Sequence, residues 1–171
     1  MLVATLFAAK EIDWGADEAK TGLIISVLII QFIAIGGAYL FSWLSSKIGN
    51  IKSLSITLII WVMVCVIAYY IKSPVEFYSL AGIVGLVMGG VQSLSRSTFS
   101  KLLPETKDHA SFFSFYDVLE KLGIVIGTFS YAFIEGLTGS MRNSIFALGA
   151  FFIAGMVLLF LVPKKSSIQA Q

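Results

Sequence analysis

Residues 82–121 read GIVGLVMGGVQSLSRSTFSKLLPETKDHASFFSFYDVLEK, and the fold turns on how this stretch is read. An apolar run studded with Gly82, Gly85, Gly89 and Gly90 carries Gln92 and Arg96 toward a polar turn at 103–110. A second apolar run then carries Asp117, Glu120 and Lys121 away from that turn. Runs of this length approach the roughly 20 apolar residues that a spanning helix needs. Ionisable groups inside such runs are expensive and need a reason to be there. The stretch predicts a helical hairpin in a membrane, held in place by the rest of the chain.

Composition agrees. The chain has 171 residues, 57% hydrophobic and 13% charged, with a mean hydropathy of +0.90. Soluble domains average about 45–50% apolar and about 25% charged. The net charge of +2 is small and scattered, which argues against a nucleic-acid partner. Cys65 is the lone cysteine, in mid-run, and reads as a small buried apolar residue. His109 is the lone histidine, so no His/Cys metal site and no cofactor are expected. The opening MLVATLFAAKEIDWG lacks a positive start and a long apolar run, so it does not read as a signal peptide. It reads as the end of a transmembrane helix over 1–9 whose beginning is missing, as in a fragment of a longer chain.

Five further runs read as spans, over 22–45, 54–71, 77–103, 111–137 and 144–162, the last stopped by Pro163 and Lys164. The alternation of a β-barrel is not seen. The predicted fold is all-α, a polytopic helix bundle in a lipid bilayer. One set of alternate loops carries Lys47, Lys52, Lys101, Lys107, Lys164 and Lys165. The other carries Lys10, Lys20, Lys72 and Arg142 among Glu11, Asp13, Asp17, Glu18, Glu76 and Glu135. Lys/Arg bias then places the first set, and the C-terminus, in the cytoplasm. Trp14, Trp43, Tyr69, Tyr70 and Tyr78 are placed as an aromatic belt. Gly36-Gly37, the Gly82–Gly90 cluster and the Gly123/Gly127 pair are expected at close helix contacts.

Two stretches carry a resemblance. The loop SWLSSKIGNIK, 42–52, resembles the cytoplasmic loop signature of the major facilitator superfamily through Leu44, Lys47 and Gly49. Ser42 and Ser46 replace its first glycine and its acid. The segments GGVQSLSRS (89–97), FFSFYD (112–117) with Lys121, and LTGSMR (137–142) resemble the vacuolar-effluxer-like family of major facilitators. That family is related to the autophagy-linked amino-acid effluxers of fungal vacuoles. The resemblance covers nearly the whole chain. It implies the second half of a major-facilitator fold, helices seven to twelve, with the seventh incomplete. It also implies an N-terminal six-helix half as partner, a small-molecule solute, amino-acid efflux and, for a bacterial member, the cytoplasmic membrane. Asp117 and Glu120 depart from the family's usual residues, which leaves their roles open.

Depth sorts the charges. At about 1.5 Å per residue, Arg96 and Asp117 lie roughly 10 Å from their ends of the turn, and Gln92 and Lys121 roughly 16 Å. Equal depths predict an Arg96–Asp117 pair, with Gln92 near Lys121 or Glu120. The four charges Arg96, Asp117, Glu120 and Lys121 sum to zero, as a low-dielectric interior favours. Three roles stay open: a structural lock, a gate near the cytoplasmic face, or contact with substrate or proton. Arg96 and Asp117, with Lys47, are assigned to the lock or gate. Gln92, Glu120, Lys121 and the mid-span Gln31 are the substrate- or proton-path candidates, although Gln31 is expected to bond a neighbouring helix. No Ser/His, paired-Asp or HExxH constellation is present, so an enzyme is not expected. The leading function is the C-terminal half of a secondary-active transporter working by alternating access. The alternatives are a non-transporting assembly subunit and a small homo-oligomeric transporter.

Overall fold

A computed structural model of the protein describes residues 2–14, 19–103 and 108–162. Lys107, Lys164, Lys165, Asp17 and Glu18, used above for orientation, lie outside the described residues, as does Pro163. Among the described residues the chain is six helices: α1 (Leu2–Glu11), α2 (Ala19–Ile48), α3 (Asn50–Tyr70), α4 (Pro74–Leu102), α5 (His109–Thr138) and α6 (Met141–Phe160).

Helices α2, α3, α4 and α6 are long and apolar enough to cross a membrane. The 30 residues of α5 also give the length, about 45 Å, but Asp117, Glu120 and Lys121 interrupt its apolar run. Most helices begin a few residues before the expected spans because their starts are fixed by local chemistry rather than by hydropathy. At α4, Ser73 and Glu76 form a capping box around Pro74. At α5, the Asp108 carboxylate accepts from the Ser111 amide. Gly49, a residue of the superfamily-like loop, sits at φ 91° between α2 and α3, a conformation that disfavours side chains.

The most extensive packing joins α2 to α4. A Cβ built on Gly89 meets the Ala34 carbonyl, one on Gly37 meets the Leu86 carbonyl, and one on Gly85 meets the Ile30 carbonyl. Here the backbones themselves touch, as the glycine cluster predicts. Positions 30 and 34 meet 85 and 89, so the two helices run in the same direction. Helix α4 also packs on α3, α3 on α6, and α6 on α5. The Gly123/Gly127 pair corrects its expectation. Among the described residues nothing lies within 4 Å of a Cβ at either position, so this pair makes no close contact there.

The buried core lies where the ends of α1, α3 and α5 meet the starts of α4 and α6. Phe7, Ile12, Val64, Phe77, Leu80, Tyr131 and Ile145 fill it. Trp14 packs edge-on to Phe77 and Tyr78 and donates its indole N–H to the Ala8 carbonyl at 2.7 Å, so it serves the core more than a belt. Helices α4 and α5 share little backbone packing, and a cavity within the bundle is bordered by residues from every helix.

Candidate functional site

The charge cluster links α4 to α5. Arg96 on α4 donates from Nη2 to Asp117 Oδ1 on α5 at 2.8 Å, the pair that equal depth predicts. The same Nη2 is 3.5 Å from Glu120 Oε2, and Lys121 Nζ is 4.0 Å from Glu120 Oε1. Beside them Ser95 Oγ and Tyr116 Oη share a hydrogen bond of 2.7 Å. The Arg96 guanidinium lies 5.7 Å from the Tyr116 ring centre. Phe99 packs on Phe113 and Tyr116, with ring centres 5.6 and 4.9 Å apart. Helices α4 and α5 therefore meet through side chains near their shared turn, not through backbone packing.

The cluster is open to its surroundings. The side chains of Arg96, Asp117, Glu120 and Lys121 are 55, 50, 32 and 74% exposed. A bilayer does not tolerate such groups on its hydrocarbon face, so this edge fits water or another protein surface.

The other candidates are more scattered. Gln92 is exposed and forms no hydrogen bond with Glu120 or Lys121 among the described residues. Gln31 is exposed on α2 and also lacks a hydrogen bond among the described residues, against the expectation of a neighbouring partner. A glutamine in a long apolar run has no spacing that tells which way it faces. Lys47 is exposed at the end of α2 and makes no ion pair with the cluster among the described residues. The polar tie between that loop and α4 comes instead from Asn50. Its Nδ2 donates to Ser97 Oγ at 2.9 Å, and its Oδ1 accepts from Lys101 Nζ at 2.8 Å.

Under the cluster lies an apolar cavity of about 740 Å³. Trp61 and Phe152, stacked at 5.0 Å, line it, as do Gly123 and Gly127. Among the described residues Glu120 is the one acidic residue on its wall, and no lysine, arginine or histidine lines it. The cavity thus begins where the charge cluster ends.

A second ionic site was not legible in the sequence, where Arg142, Glu11, Lys10 and Glu135 served only as markers of orientation. Arg142 Nε binds Glu11 Oε2 at 2.9 Å, and its remaining N–H groups donate to the carbonyls of Tyr69, Ile71 and Glu11. The Met141 amide donates to Glu11 Oε1 at 3.2 Å. Lys10 Nζ binds Glu135 Oε1 at 2.6 Å. These bonds tie α1, α3, α5 and α6 together at the core end. The partners are more than 60 residues apart, so no local spacing announces them.

Long apolar helices, glycine-mediated contacts and ionic clusters confined to the helix ends and the α4–α5 seam define the class: a multi-pass membrane protein. The comparison with known proteins sharpens this. The chain matches the vacuole effluxer Atg22-like family over residues 1–171, and it belongs to that family, a major-facilitator family of transporters rather than enzymes. It is 33% identical over 158 residues to the uncharacterized MFS-type transporter YxiO of Bacillus subtilis, covering 91% of this chain and 36% of that protein. It is 32% identical over 181 residues to autophagy-related protein 22 of Eremothecium gossypii, covering 98% of this chain and 34% of that protein. Autophagy-related protein 22 of Yarrowia lipolytica is 29% identical over 173 residues, covering 95% of this chain and 28% of that protein. The chain thus spans about a third of the length of these relatives. No solved structure matches it.

Proposed function

We propose that the chain is the C-terminal six-helix half of a secondary-active transporter that moves a small solute by alternating access. Its partner in this reading is an N-terminal six-helix half, and all of α2 to α6 cross the bilayer with the C-terminus in the cytoplasm. The observation that carries it is the Arg96–Asp117–Glu120 seam. It spans two helices that meet through side chains near their turn rather than through backbone packing, is exposed, and borders an apolar cavity. A structural lock is better placed at a packed contact. A seam that must open and close is better placed where side chains rather than packed backbones join the helices. Arg96 and Asp117 act as the gate. Lys121 and Gln92 face the solute path, and Glu120 is the proton-carrying candidate, because a carboxylate exchanges protons where a guanidinium does not. Amino acids are the proposed solute class, supported by the resemblance to the fungal vacuolar effluxers.

The test is solute counterflow by the natural full-length gene product in proteoliposomes, with radiolabelled amino acids under an imposed proton gradient. Wild type is expected to exchange solute above protein-free vesicles. Lys121→Ala and Arg96→Ala are expected to lose most of it while keeping normal abundance and elution. Full transport by both variants rejects the gate and path assignments. No exchange by wild type favours a non-transporting assembly role.

A further inference from the structure

The cavity beneath the seam has a chemistry of its own. Its volume of about 740 Å³ falls in the range of roughly 300–1,000 Å³ that small-molecule sites occupy. Its wall is apolar and aromatic, with Phe77, Trp61, Phe152 and Met88 contributing. Gly123 and Gly127 keep it open, because the positions where their side chains would begin meet nothing within 4 Å. Glu120 is the one ionisable acid or base that lines it among the described residues, apart from the Cys65 thiol.

That carboxylate is loosely held. Its two cationic neighbours stand at 3.5 and 4.0 Å, while the short bond of Arg96, at 2.8 Å, goes to Asp117. No hydrogen bond fixes Glu120 among the described residues. Arg96 is thus matched by Asp117, and Glu120, which also lines the cavity, keeps acceptor capacity. A negative charge on an otherwise apolar wall is complementary to a cation with an apolar body. Aromatic faces add to such a match, since ring quadrupoles attract cations.

We infer that this cavity binds a lipophilic organic cation, its charged head against Glu120 and its apolar body against Trp61, Phe152 and Met88. The inference concerns binding and does not rest on the transport reading.

The probe is radiolabelled tetraphenylphosphonium, measured by equilibrium dialysis against the detergent-purified, natural full-length gene product. Tetraphenylborate, of the same shape and opposite charge, is the control. Wild type is expected to bind the cation saturably and more tightly than the anion. Glu120→Gln removes the charge while keeping the shape, and is expected to weaken cation binding about tenfold, the scale of one charge-assisted contact. Gly127→Phe places a ring in the open space and is expected to abolish cation binding with no fall in Tm. Three results overturn the inference: equal affinity for cation and anion, unchanged cation affinity in a folded Glu120→Gln protein, or a Tm lowered several degrees by Gly127→Phe without probe. The last would mean that another segment of the full-length protein already fills the space. If Glu120→Gln does not fold, the ion comparison on wild type and the Gly127→Phe variant still decide the question. A protein that transports solute but fails these binding tests loses this inference alone.

Discussion

Two arginine–carboxylate pairs of nearly equal length sit at opposite ends of the bundle. Arg142–Glu11 spans 2.9 Å and Arg96–Asp117 spans 2.8 Å. Their surroundings differ. The side chains of Arg142 and Glu11 are 18 and 21% exposed, against 55 and 50% for Arg96 and Asp117. Arg142 also satisfies three backbone carbonyls on two chain segments and sits 5.9 Å from the Phe7 ring. Arg96 has one short bond and a second carboxylate at a longer reach. Distance alone does not rank ion pairs. Burial and the number of groups left stranded by a deletion do. In the proposed reading the Arg142 end stays shut and the Arg96 end opens and closes.

The largest expected effect follows from that difference. Arg142→Ala strands the Glu11 carboxylate and three carbonyls at once. Breaking a pair of this kind costs about 3–5 kcal/mol when buried, a fall in Tm on the order of 10 °C for a chain of this size. Arg96→Ala, at the exposed pair, is expected to change Tm little while cutting transport. Fluorescence-detected thermal unfolding of the two variants of the full-length protein checks this. Equal losses of Tm would erase the distinction between the ends.

The glycine pairs supply the next contrast. Gly85/Gly89 on α4 and Gly123/Gly127 on α5 share one spacing, but only the first pair meets a neighbouring backbone. Gly89→Ala drives a methyl into the Ala34 carbonyl, and overpacking of this kind costs about 1–3 kcal/mol. Gly123→Ala enters open space and is expected to be neutral or slightly stabilising, because alanine is the better helix former. The same unfolding assay separates them. A smaller but more diagnostic effect is expected from reversing the gate pair. Arg96→Asp and Asp117→Arg should each impair transport, and the double variant should recover part of it. Failure to recover would show that Glu120, which also reaches Arg96, makes the pair directional.

How much of this was legible beforehand divides along the same line. The hairpin cluster was readable because its residues are close in sequence and helical rise converts position into depth. Arg96 and Asp117 lie 21 residues apart across one turn, and depth counting paired them. The α2–α4 contact was half readable: glycine density announced a close approach but not its partner. The Arg142–Glu11 tie was unreadable, because 131 residues separate the two and each stands alone among loop charges. The neighbours expected for Gln31 and Gln92 are not met among the described residues, for another reason. In an all-round apolar helix the polar residue does not reveal its facing direction, since no amphipathic stripe sets one. The Gly123/Gly127 pair failed because spacing shows that a helix can be approached closely, not that anything approaches it.

The smallest expected effect concerns the capping box that starts α4 at the closed end. The amides of Lys72 and Ser73 donate to Glu76 Oε2 at 3.1 and 3.2 Å, and the Glu76 amide donates to Ser73 Oγ. The Lys72 and Ser73 bonds hold the Glu76 carboxyl below the usual carboxylate range. A carboxyl with a lowered folded-state pKa binds its proton more weakly when folded than when unfolded. It therefore adds stability above its unfolded pKa of about 4.3, and that contribution fades as pH falls through the folded value. Glu76 is fully exposed, so the effect is small and screened by salt. Wild type is expected to unfold at a slightly higher temperature than Glu76→Gln at neutral pH, with the gap closing below about pH 4. A gap that persists in acid would show that the side chain helps through its shape and its neutral hydrogen bonds. The cap would then belong with the packing of the closed end rather than with its charges.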